Sequence, residues 1–156
     1  MTGLAPSKTT DAYWISATSP TLGITQTGRT GKWLLFPPNE ELDTAWAKIV
    51  KATEDGLLGI EAKSSTARPN PNSTSSKKGL ICVYTYDADD VPDVKRVLGQ
   101  LRALGFNDTL YYKEDEQTRL GNYARDNRVA VSIFTSPADT PLELAHPKSW
   151  TGRRLV

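Results

Sequence analysis

The sequence predicts an α+β fold in which a largely antiparallel sheet carries helices packed on one face. Three observations point there. The segments follow the order β-α-β-β-α-β-β, and the two middle strands are joined directly to each other, so the sheet cannot be purely parallel. Both helical segments place their large apolar residues at helical spacing, the pattern of a helix lying on a core. The strand segments are short, rich in β-branched and aromatic residues, and bounded by Gly, Pro, Asn and Asp.

The elements follow in order. Residues 1–30 are rich in Thr, Ser, Gly and Pro and read as an extended lead-in anchored by Tyr13-Trp14-Ile15. GKWLLF, from Gly31 to Phe36, reads as a buried strand stopped by Pro37-Pro38. Asn39 is the expected N-cap of a helix over about 40–55, with Glu40, Glu41 and Asp43 in its first turn and Leu42, Trp46, Ile49 and Val50 on its apolar stripe. Gly56 closes it. LLGIEAK, Leu57 to Lys63, is the next strand, and LICVYTY, Leu80 to Tyr86, the one after. Between them SSTARPNPNSTSSKK, residues 64–78, has the composition of a mobile hairpin connection. Asp89 or Asp90 caps a second helix with Pro92 in its first turn; Val94, Val97, Leu98, Leu101 and Leu104 form its stripe and Gly105 ends it. LYYK, Leu110 to Lys113, is a short strand, and VAVSIFT, Val129 to Thr135, the last one. The domain is thus read as one unit over 1–156, with a lead-in at 1–30, a core at about 31–135 and an irregular tail at 136–156 anchored by Trp150.

Composition narrows the function classes. The chain has 156 residues, enough for one domain with a real core. Its formal net charge is +1, so no global field draws it to nucleic acid or to membranes, and any anion preference is local. Cys82 is the one cysteine, which excludes an internal disulfide framework and suggests a reducing compartment. MTGLAPSKTTDAYW has no apolar leader region and no window reaches the length of a membrane span, so the expected location is the cytoplasm, with the nucleus also open. One histidine, His146, leaves no material for a zinc site or a histidine-based triad, and nothing calls for a cofactor.

Several of these segments together resemble a known fold. GKWLLF, LDTAWAKIV, GIEAK, LICVYT, LRALGF and LYYK stand in the order of the core of the translation initiation factor that binds the mRNA cap. A closer resemblance is to the basophilic-leukaemia-expressed (Bles) protein family, through Tyr13-Trp14-Ile15, Gly31 to Leu34, Ala62-Lys63, Ile81 to Thr85, Tyr112-Lys113, Thr118 and Gly121-x-Tyr123. The resemblance covers roughly residues 12–135 and implies that the sheet is curved. From the cap-binding fold it implies a phosphate-holding role for Lys63 and for Lys77 or Lys78. The position of that family's phosphate-binding arginine falls on Glu61. Trp33 and Trp46 match its structural tryptophans, and its two base-stacking tryptophans find no counterpart.

The residues themselves leave alternatives side by side. With Ile60 turned to the core, Glu61 and Lys63 share the opposite face, either as a solvated ion pair or with Lys63 as a phosphate ligand. Lys113 leads into a loop with Thr118, Arg119, Tyr123, Arg125 and Arg128, in which the arginines suit an anion and the acidic neighbours Glu114, Asp115, Glu116 and Asp126 oppose it. Trp14 is a staple or a stacking surface. The basic run Lys148 to Arg154 contains an aromatic residue and suits RNA.

Three functions therefore stand open. The first is a binding module for a phosphorylated small molecule, nucleotide or RNA, with charge from Lys63, Lys77, Lys113 and Arg119, and with Thr118, Tyr123 and Trp14 lining the site. The second is an enzyme, a lyase or phosphoryl-acting, using Lys63, Lys113 and Tyr123. The third is a protein-interaction module using the helix at 91–104.

Overall fold

The structure, a computed structural model, describes residues 5–20, 29–69, 77–114 and 132–138, with the backbone alone at 132 and 133. Six strands form one sheet: β1 Trp14–Thr18, β2 Gly31–Leu35, β3 Glu61–Ser65, β4 Ile81–Thr85, β5 Leu110–Glu114 and β6 Ser132–Ser136. Their spatial order is β1-β3-β4-β2-β5-β6, and every neighbouring pair is antiparallel. Among the described residues, helices α1, Leu42–Glu54, and α2, Val91–Ala103, accompany the sheet in an α+β fold.

Both helices pack on the same face of the sheet. Strand residues that alternate toward them (Ile15, Ala17, Ala62, Ile81, Val83, Trp33 and Tyr112) join Trp46, Ile49, Val94, Val97, Leu98 and Leu101 in one buried cluster. Trp33 is its centre. Its indole N–H donates to the Val94 carbonyl at 3.0 Å, and its ring meets Tyr112 edge-on, 5.2 Å between centroids at 66°. The Tyr112 hydroxyl in turn pairs with Thr85 Oγ1 at 2.6 Å, so a polar group at the core finds a partner.

The helix boundaries have identifiable causes. The Asp90 side chain accepts from the Asp93 backbone N–H at 3.1 Å and caps α2, which decides between the two expected candidates, Asp89 and Asp90. Gly56 and Gly105 follow the two helices at positive φ, 76° and 99°. The start of α1 differs from the expectation. Asn39 opens a 3₁₀ turn, Asn39–Glu41, with its own N–H donating to the Lys77 carbonyl, and α1 starts at Leu42. Asp43 is instead held by the lead-in, accepting from the Ser7 N–H at 2.9 Å and the Ser7 hydroxyl at 2.5 Å.

The strands also depart from the expected bounds, β1 and β3 the most. Residues 14–18, read as extended lead-in, form the edge strand β1, whose ladder with β3 continues in the bond from Ser19 N–H to the Ile60 carbonyl. β3 begins at Glu61 rather than Leu57, because the Arg96 guanidinium takes the Leu57 and Leu58 carbonyls at 3.1 and 2.9 Å. β6 extends to Ser136, and residues 129–131 lie outside the described set. Its end is fixed by Arg102, buried at 8% exposure, which donates to the carbonyls of Phe106, Asp108, Ser136 and Pro137 and to the Ser136 hydroxyl.

Candidate functional site

Antiparallel register, with a side-chain period of two, places a defined set of residues on the face opposite the helices. One row across the sheet runs Ser16, Lys63, Cys82, Leu34, Tyr111, Thr135. The next runs Thr18, Glu61, Tyr84, Lys32, Lys113. Trp14 lies diagonal to Lys63 on the edge strand, opposite Ser65. Among the described residues this face, free of described helices, therefore carries three lysines and three aromatic rings.

The rings and ammonium groups interleave. Lys63 Nζ lies 4.1 Å from the Trp14 ring centroid and 5.9 Å from that of Tyr84. Lys32 Nζ lies 5.4 Å from the Tyr84 centroid on the other side. A cation over a ring face gains about 0.5–2 kcal/mol, more where water is excluded. Exposure is greatest toward the ends. Tyr111 is exposed and Trp14, Lys63 and Lys113 are half-buried, whereas Leu34, Cys82 and Lys32 in the middle are buried. Lys32 is the more telling of these, since lysine is seldom buried without a partner and here one is a ring in the same row.

The expected site residues divide into three groups. Lys63, Lys113 and Trp14 stand on the same face. Lys63 and Lys113 are three strands apart, about 14 Å of sheet width. Lys77 lies elsewhere. It precedes β4 and borders a shallow depression with Lys78, Pro38, Asn39 and Glu40, roughly 16 Å along the strand direction from the row of Lys63. Thr118, Arg119 and Tyr123 fall outside the described residues, as do His146, Trp150 and the run 148–154. Trp33 and Trp46, read as core, are buried at 0% and 4% exposure.

Lys32, Tyr84 and Tyr111 complete the face and were missed in the sequence. The signal was present for Lys32: a lysine inside GKWLLF, with Trp33 and Leu35 on the opposite side of the pleat. Among the described residues no three His, Cys, Asp or Glu side chains converge as a metal site would need. No described helix is long and apolar enough to cross a membrane.

The class this arrangement defines is a two-layer α+β sandwich, helices on one side, with a lysine- and aromatic-bearing sheet face on the other. The chain belongs to the family described as basophilic leukemia-expressed protein Bles03, whose model matches residues 21–121. Among solved structures it is similar to eIF4E-3 of Ascaris suum in complex with m2,2,7G cap, at 19% identity over 55% of this chain and 50% of that one, TM-score 0.42. It is also similar to eIF4E-3 of C. elegans in complex with the 4E-binding protein Mextli and cap analog, at 22% identity over 59% of this chain and 54% of that one, TM-score 0.46. The match thus spans about half the length of each of those chains.

Proposed function

We propose that the helix-free sheet face is a binding surface for a phosphorylated ligand of the nucleotide or RNA class. The observation that carries this reading is the ammonium of Lys63, 4.1 Å from the Trp14 ring centroid and on the same face as Lys113. An aromatic ring beside a lysine offers both chemistries that a nucleotide needs. The ring supplies a stacking surface for a base, worth about 1–3 kcal/mol per base, once the ammonium that lies over it turns to a phosphate as a point charge. Glu61, two positions from Lys63 on the same face, supplies an acceptor for base amino groups.

The geometry also bears on the catalytic alternative. General acid–base work needs its groups within hydrogen-bond reach of one reacting centre, and Lys63 and Lys113 stand about 14 Å apart across the sheet. Charge distributed in this way suits holding an extended anion. The outward face of α2, with Lys95 and Arg96 exposed beside Pro92 and Ala103, is polar rather than an apolar docking stripe.

The test is fluorescence polarisation with a labelled, 5′-phosphorylated single-stranded oligonucleotide, competed by a nucleoside triphosphate. The Lys63→Ala, Lys113→Ala double variant is expected to bind at least about ten-fold more weakly than the parent, with Lys95→Ala on α2 as a control that leaves affinity unchanged. Unaltered binding by the double variant removes this face as the site.

A further inference from the structure

The two exposed ends of the helix-free face are far apart, and each holds the same pair of residue types. At one end Trp14 stands beside Lys63. At the other, Tyr111, 39% exposed, stands two residues from Lys113 on β5 and so on the same side of the pleat. Between β1 and β5 lie four strand spacings, about 19 Å. The middle of the face is filled by Cys82, Leu34 and Lys32, all buried.

From this spacing we infer that the face takes a single-stranded nucleic acid spanning two stacking positions, Trp14–Lys63 and Tyr111–Lys113, rather than a single nucleotide. The inference rests on the binding reading above and narrows its ligand. A mononucleotide carries one base and can stack at one position only. A strand that stacks at both, at about 3.4 Å per stacked nucleotide, covers the interval with about six nucleotides, fewer where it is extended. The buried centre then acts as a spacer. Its buried cation, Lys32 over Tyr84, favours the passage of a phosphate chain without reading its bases. Ring faces and ammonium groups do not distinguish sequence, so the expected recognition is of single-strandedness and length. Ribose and deoxyribose strands share this chemistry.

The experiment is a length series of labelled uridylates of 1, 2, 4, 6 and 10 nucleotides, with thymidylates of the same lengths as a second arm. Affinity is expected to climb more than ten-fold from the dinucleotide to about the hexanucleotide and then flatten. Its logarithm is expected to fall against log salt with a slope of about −2, from three lysines at about −0.7 each on a single strand. Tyr111→Ala and Lys63→Ala are each expected to weaken the decamer about ten-fold and UMP by at most about two-fold, because a mononucleotide keeps whichever position remains. Comparable results in the two arms support the shared chemistry, and a preference for uridylates supports it with an added contact to the 2′-hydroxyl. UMP bound as tightly as the decamer, or a decamer insensitive to Tyr111→Ala, overturns the two-position inference and leaves the binding reading standing. Binding of no member of either series overturns both.

Discussion

An ammonium 4.1 Å from an indole centroid is held but not locked. The attraction, about 0.5–1 kcal/mol at a partly exposed site, is smaller than the roughly 2 kcal/mol of rotamer entropy a lysine carries. Lys63 can therefore turn to a phosphate at small cost. Its face was legible in the sequence, because Ile60 and Ala62 are apolar and the period of two forces Lys63 to the other side. Its partner was not, since nothing local in LLGIEAK names Trp14 as its diagonal neighbour. Tyr86 makes a second residue-scale point. The phenol is pushed up to about 12, first by its hydrogen bond to Asp90, then by burial and the charges of Asp90, Asp93 and Asp87. A raised folded-state value means the contribution is whole below the unfolded pKa near 10 and is lost as pH rises through about 12. The denaturant midpoints of the parent and Tyr86→Phe are therefore expected to differ at pH 8 and to converge between pH 10 and 12. A gap that widens with pH would contradict this.

At the scale of elements, the β3–β4 pairing depends on one glycine. A Cβ on Gly59 would fall on the Tyr84 carbonyl oxygen, the acceptor for the Ile60 N–H that opens the ladder. Gly56 has open space around it and needs glycine only for its φ of +76°. Gly59→Ala is thus expected to cost about 3 kcal/mol or more in urea unfolding, and Gly56→Ala about 1 kcal/mol. Equal costs would show that the strand approach is not tight. The two helices, the middle hairpin and the central strands were readable because capping, stripe and alternation are local signals. The edge strand β1 was not, because its structure is set by pairing with residues 61–65, a partner distant in sequence. Arg102 escaped notice for the same reason. It stands beside Leu101 on a regular helix, and its burial comes from the carbonyls of β6 and of the loop between α2 and β5.

At the scale of the whole sheet, the described residues divide between two faces. Helices and the large apolar side chains occupy one side of the sheet, and the lysines and the aromatic rings Trp14, Tyr84 and Tyr111 line the other. With a net charge of only +1 for the chain, this placement sets three lysines and one carboxylate, Glu61, on one face. Composition alone argued against a strongly basic nucleic-acid binder, and it could not reveal the local concentration because Lys32, Lys63 and Lys113 belong to three different strands. Alternation could have placed each lysine relative to its own strand, but only the strand order puts them side by side. The most direct test of a ligand on this face is a set of tryptophan indole ¹H–¹⁵N spectra recorded during titration with a single-stranded decanucleotide. The Trp14 indole signal should shift progressively, while those of buried Trp33 and Trp46 on the helix side stay in place. Shifts at Trp33 or Trp46 with Trp14 unmoved would contradict the account.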